Sequence, residues 1–104
     1  EFRQDGKVTV PDEGMALHLY RIVQEAVANA IHHSGAKHIL VSLSNDDGRN
    51  QVIISDNGSG FTPRSGDSGG LGLHIMKYRA RMIGAILKIS KQQQGGTEVV
   101  CQWP

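Results

Sequence analysis

The chain has 104 residues, 38% of them hydrophobic and 20% charged, with a formal net charge of +1. That length fits a single domain, residues 1–104, with one modest core, and the near-neutral charge gives no reason to expect nucleic acid or an anionic membrane surface as a partner. The one cysteine, Cys101, excludes an internal disulfide and a thiolate metal cluster, and its place in an alternating apolar run reads as a small core residue. No apolar stretch approaches the ~20 residues of a membrane span and no signal-peptide pattern occurs, so a cytoplasmic domain without direct membrane contact is expected.

The first 13 residues are polar, and Lys7-Val8-Thr9-Val10 is their one strand-like run. Pro11 ends it, and Asp12 or a neighbour can cap the next element. From about Gly14 to Ser34, apolar residues fall at Ala16, Leu19, Tyr20, Val23, Ala26, Val27, Ala30 and Ile31, the i, i+3, i+4, i+7 spacing of an amphipathic helix. At about 100° per residue, His18, Glu25, Asn29 and His32 gather within about 60° of one another, opposite that stripe. Gly35 supplies a stop.

Lys37 to Ser44 alternates and is rich in β-branched residues, as a strand should be. Asn45 to Asn50 is a hairpin connection carrying the Asp47-Gly48 turn signal, and Gln51 to Ser55 is the returning strand. Six glycines lie between Gly58 and Gly72. A second helix is expected over Leu71 to Ile83, with Leu71, Ile75, Tyr78 and Met82 near one face and Gly84 as its stop. Ala85 to Ser90, a turn at Gln92 to Gly96, and Thr97 to Trp103 complete the chain. This order predicts an α+β two-layer sandwich: a mixed, mostly antiparallel sheet covered on one face by helices.

Two stretches carry chemistry. Glu25 and Asn29, four apart, share one helical surface, and a carboxylate with a carboxamide can offer oxygen ligands to a hard cation such as Mg²⁺. Glu25 can equally orient or deprotonate a nucleophile, and the pair is also compatible with a plain solvated face. Asp56 closes a strand and precedes Asn57-Gly58. It suits an Asx turn, or a carboxylate at the base of a pocket that accepts from an exocyclic amine such as adenine's, with Gly58 and Gly60 letting a flat ring approach. Thr97 can add a hydroxyl. Gly69-Gly70-Leu71-Gly72-Leu73 opens a helix, where free N–H groups and the helix dipole favour an anion. Neither a P-loop nor a G-x-G-x-x-G fingerprint occurs, since Pro63 follows the Gly58/Gly60 pair where a helix would start. The adjacent His32 and His33 lack zinc-ligand spacing.

Taken together, the stretches Gln24–His33, Asp56–Phe61 and Gly70–Leu73 resemble the N, G1 and G2 boxes of the ATP-binding (Bergerat-type) domain of sensor histidine kinases. Gly95-Gly96-Thr97-Glu98-Val99 resembles the approach to that domain's last strand. The short segment Thr62–Gly69 and the Met76–Met82 helix resemble the nitrate-sensor-like subfamily. The resemblance implies ATP and Mg²⁺ as ligands. It implies Asn29 as the Mg²⁺ ligand, Glu25 as the base, and Asp56 with Thr97 at adenine. Gly58 and Gly60 would lie along the ring, and Gly70, Leu71, Gly72 and Leu73 at the phosphates. Thr62–Gly69 would be a lid; its Gly and Ser content raises the entropy of ordering, so it is expected to be disordered or displaced without nucleotide. His32 stands where many relatives have Lys or Arg, so a phosphate contact from it would depend on pH; His33 matches the family's usual histidine. The implied partners are the dimerisation and phosphoacceptor helices of a parent kinase and, through it, a response regulator. None of the five histidines lies on such a helix pair, so an excised catalytic domain is expected. Within the wider class, an ATPase used as a conformational switch is the alternative, and a degenerate docking module is disfavoured by the intact boxes.

Overall fold

Asp12 opens the first helix as expected. Its Oδ1 accepts from the Met15 N–H at 2.8 Å, and its carbonyl accepts from the Ala16 N–H at 3.1 Å, which satisfies donors that a helix start leaves orphaned. In the computed structural model, which describes residues 2–6, 8, 10–32, 35–58, 69–92 and 95–104, this helix is α1, Glu13–His32. Strand β1 (Phe2–Asp5) precedes it. Strands β2 (Ile39–Asp46) and β3 (Arg49–Asp56) come next. Helix α2 (Gly69–Met82) and strands β4 (Ile86–Lys91) and β5 (Thr97–Trp103) complete the fold.

The sheet has the order β1-β2-β3-β5-β4. The β2–β3 hairpin closes through Asp47 (φ 52°) and Gly48 (φ 79°), two consecutive positive φ values that match the right-handed twist of the flanking strands. Its strands run right up to that turn, with Asp46 opposite Arg49, so the connection is two residues long and not the six of Asn45–Asn50. Strands β3, β5 and β4 pair antiparallel. Strand β1 pairs parallel with β2, Phe2 opposite Val41 and Asp5 opposite Ser44. Parallel neighbours need a long crossover, and α1 is that crossover.

This first strand corrects the sequence-based expectation. Val8 and Val10 lie outside any strand, and the edge strand forms from Phe2-Arg3-Gln4-Asp5, which has no strand-like alternation of its own. Pairing with the strong β2 run decides it.

Both helices pack on one face of the sheet. The core joins Met15, Leu19, Ile22 and Ala26 of α1, Met76 and Ala80 of α2, Val52 and Ile54 of β3, and Val99, Cys101 and Trp103 of β5. Ile22 and Cys101 are wholly inaccessible; burying a side chain the size of Ile22 contributes roughly 1.5–3 kcal/mol. The opposite face mixes apolar residues, such as Ile53 opposite Val100, with polar side chains laced across strands: Gln51 Nε2 donates to Ser44 Oγ, Gln102 Nε2 to Gln51 Oε1, and Gln92 Nε2 to Ser55 Oγ, each at 3.1 Å. The expected two-layer sandwich with a mixed, mostly antiparallel sheet is therefore the observed one.

The buried helix faces are rotated from those expected. On α1 the buried residues are Met15, Leu19, Ile22, Ala26 and Ala30, whereas Tyr20 and Ile31 are exposed. Ala16, Tyr20 and Val23 face an apolar groove of about 730 Å³ between α1 and the N-terminal segment. On α2 the core residues are Met76 and Ala80, with Leu73 and Ile83 packed beside them; Ile75, Tyr78 and Met82 are exposed. Each helix packs against its neighbour as well as the sheet, so each buries the face toward that corner. His18 Nδ1 and Arg79 Nη1, 3.2 Å apart, join the helices there. Helix α2 ends in a Schellman arrangement, Gly84 N–H to Arg81 O at 3.2 Å and Ala85 N–H to Ala80 O at 2.9 Å.

Candidate functional site

Rotation of α1 brings its polar residues into a half-buried position. Glu25 and Asn29 are both partly buried, flanking the core stripe on the side toward α2 instead of standing opposite it. Asn29 lines a concavity formed with Asp56 at the end of β3, Leu73 in the second turn of α2, and Thr97 at the start of β5. Its floor is apolar, made by Ala26, Ile54, Met76, Ile89 and Val99 among others. It is about 20 Å³ in volume, room for a single water, which needs about 10–15 Å³. Four elements distant in sequence thus bring a carboxamide, a carboxylate and a hydroxyl together over an apolar base.

The Asp56 carboxylate is oriented locally. Its Oδ1 accepts from the Gly58 N–H at 2.8 Å, the Asx turn that Asp-Asn-Gly favours. Thr97 is buried, with 7% of its surface exposed. Gly70, Leu71 and Gly72 lie in the first turn of α2, where backbone N–H groups have no intrahelical partner. Glu25 sits one turn before Asn29 and outside the lining of the concavity. His32 is the exposed last residue of α1. His33, Gly60 and residues 61–68, which include nearly all of the expected lid, lie outside the described residues. Among the described residues no three His, Cys, Asp or Glu side chains gather as a metal cage. The donors that α1 offers are the oxygens of Glu25 and Asn29, and such a set suits a hard cation that keeps waters and phosphate oxygens as its other ligands.

Two residues that shape the site carried no assigned role in the sequence. Gly96 (φ 96°) packs its α-carbon against the Asp56–Asn57 backbone; a Cβ there would run into the Asp56 carbonyl oxygen and stand 2.9 Å from its carbonyl carbon. Asn57 reaches back to the start of β2, its Oδ1 accepting from the N–H groups of Lys37 and His38, each at 3.0 Å. The Gly95-Gly96 pair signals a turn, but the segment this turn touches is set by the β3–β5 pairing.

The fold is that of histidine kinase ATP-binding domains. It superposes on the ATP-binding domain of PrrB from Mycobacterium tuberculosis with a TM-score of 0.69 and 28% identity, covering 85% of this chain and 67% of that one. Residues 14–104 match the family described as histidine kinase-, DNA gyrase B-, and HSP90-like ATPase, and the chain belongs to that family. It is 42% identical over 89 residues to the nitrate/nitrite sensor protein NarQ of Escherichia coli, covering 85% of this chain and 16% of NarQ. It is 33% identical over 104 residues to the histidine-protein kinase/phosphatase DegS of Brevibacillus brevis, covering all of this chain and 27% of DegS. It thus corresponds to the ATPase domain of sensor histidine kinases and spans about a sixth to a quarter of those relatives' length. Domains of this family bind ATP. No described helix is long and apolar enough to cross a membrane.

Proposed function

We propose that this domain binds ATP with Mg²⁺ and passes the γ-phosphoryl group to a histidine on a separate helical dimerisation segment of a two-component sensor kinase. The observation that carries this reading is the convergence of Asn29, Asp56, Leu73 and Thr97 on one concavity.

Asp56, with Oδ1 committed to Gly58, accepts the exocyclic amine of adenine through its other oxygen, and Thr97 supports the same edge through its hydroxyl or a water. A guanine would turn an acceptor toward the carboxylate at that place, so the arrangement favours adenine. The ring would lie over Ile54, Met76, Ile89 and Val99, where apolar surface excludes water, and its entry requires the concavity, with its present room for a single water, to widen. The first-turn N–H groups of α2, at Gly70, Leu71 and Gly72, meet the phosphates at the positive end of the helix dipole. Asn29 would hold Mg²⁺, with Glu25 one turn away; bound there, the ion supplies charge neutralisation at the phosphates. Glu25 lies on the same helical surface and polarises the incoming imidazole as general base. Phosphoryl transfer depends mainly on positioning and electrostatics, which this arrangement supplies. The acceptor histidine and the response regulator that takes the phosphate from it belong to a parent protein.

Titration calorimetry of Mg–ATP into wild type, Asp56→Ala and Asn29→Ala tests the binding step. Wild-type binding lost or weakened at least tenfold in both variants is expected. No wild-type binding at millimolar ATP would overturn the reading. Incubation with labelled ATP and a cognate dimerisation segment should then yield an acid-labile phosphohistidine; turnover of ATP without it would favour a conformational-switch ATPase instead.

A further inference from the structure

We infer that Asn57 is a positioning residue of this site: its side-chain oxygen ties the Asp56–Gly58 turn to Lys37 and His38 and so holds the Asp56 carboxylate in the orientation that receives the base. The inference rests on the proposed role of Asp56 as the acceptor for adenine.

Asn57 Oδ1 accepts from two successive backbone N–H groups, those of Lys37 and His38, both at 3.0 Å. Its own N–H donates to the His38 carbonyl at 3.2 Å. A carboxamide oxygen has two lone pairs, and both are engaged. The β2–β3 ladder ends at the pair Ile39 and Asp56, so these three bonds carry the pairing one step beyond the sheet. Asn57 is exposed, and burial of apolar surface does not account for what it holds. Because Asp56 Oδ1 is bonded to the Gly58 N–H, the carboxylate turns wherever the backbone at 57 and 58 turns. On the opposite side the Gly96 backbone comes so close to the Asp56 carbonyl that a Cβ there would overlap it. The turn is thus held from two directions, by packing at Gly96 and by hydrogen bonds at Asn57. Lys37 and His38 come directly after Ala36, whose N–H bonds at 3.0 Å to the carbonyl of Ala30, the residue after Asn29 in the last turn of α1. Asn57 therefore couples the end of the helix bearing Asn29 to the turn bearing Asp56.

The test compares Asn57→Ala, Asn57→Ser and Asn57→Asp by calorimetry with Mg–ATP and Mg–GTP, each checked for folding by circular dichroism. Alanine removes the acceptor, and serine places it too close to its own backbone to reach Lys37. Aspartate keeps an oxygen at the same reach. Expected is a loss of roughly tenfold in ATP affinity for the first two, with a fall in the ratio of ATP to GTP affinity. The aspartate variant should keep the wild-type ratio. A merely destabilising change would lower both affinities together and leave the ratio alone. Should the alanine and serine variants fail to fold, amide exchange of Lys37 and His38 in wild type decides: protection supports the tie, and exchange at the rate of free amides overturns it. An unchanged ratio in folded alanine and serine variants, or a ratio lost equally in the aspartate variant, also overturns the inference. If wild type binds Mg–ATP, Asp56→Ala does not, and the Asn57 variants match wild type, the inference falls alone. If wild type does not bind, the reading of the site falls and the inference with it.

Discussion

The α-carbon of Gly96 lies against the carbonyl of Asp56, with no room for a side-chain carbon between the β4–β5 turn and the end of β3. The residue also has a φ of 96°, a conformation that L side chains rarely adopt. Gly96→Ala therefore meets two costs, overpacking against backbone and φ strain, each on the order of 1–3 kcal/mol. A fall in melting temperature of roughly 10 °C is expected, or more. ATP affinity, measured well below the transition, should fall as well, because the least costly relief is displacement of the Asp56–Gly58 turn.

The rotated face of α1 can be checked with two substitutions. Ile22 is fully buried, whereas Tyr20 keeps 61% of its surface exposed. Ile22→Ala should destabilise by about 2–5 kcal/mol, the usual cost of emptying a core site. Tyr20→Ala should cost under about 1 kcal/mol. Urea unfolding of both variants gives the comparison, and equal effects would contradict the observed packing.

Asp12 caps the helix that carries Asn29 and Glu25. Asp12→Ala leaves the Met15 N–H without its acceptor and should cost about 1 kcal/mol, with Asp12→Asn retaining most of the stability. The loss is confined to the N-terminal end of α1, four turns from Asn29, so nucleotide affinity should be nearly unchanged once the folded fraction is accounted for.

Burial pushes the Cys101 thiol from 9.0 up to about 11. The folded state therefore holds this proton more tightly than the unfolded state. Its contribution to stability is complete below pH 9 and is lost as pH rises from about 9 to about 11. Urea midpoints should fall across that window, and the fall should be shallower in Cys101→Ala. At pH 8 a thiol reagent should modify native protein slowly and unfolded protein fast, as expected of a buried neutral thiol.

Much of the site was legible because its parts are local. Asp56-Asn57-Gly58 forms an Asx turn by itself, and the glycines at 69, 70 and 72 mark a helix start from their own sequence. Their spacing with Glu25 and Asn29 carried the resemblance to kinase ATP-binding domains, which the family match then showed. Less legible was the direction each helix faces. The stripe of Ala16, Leu19, Tyr20, Val23, Ala26, Val27, Ala30 and Ile31 is a valid amphipathic pattern, and its Leu19, Ala26 and Ala30 are buried; a second helix beside α1 turns the rest of the buried face toward Met15 and Ile22.

By itself, then, the sequence determined the number and order of the main elements, the cap at Asp12, the Asp47-Gly48 turn, the stop at Gly84 and the apolar alternation of β5. Each arises from backbone preferences within a few residues. Only the tertiary structure decided that Phe2–Asp5 forms the edge strand, that Asn29 meets Asp56 and Thr97, and that Asn57 and Gly96 hold the turn between them. Those arrangements depend on strand register and helix packing between segments that are 19 to 40 residues or more apart, and chain neighbours carry no signal of such pairings.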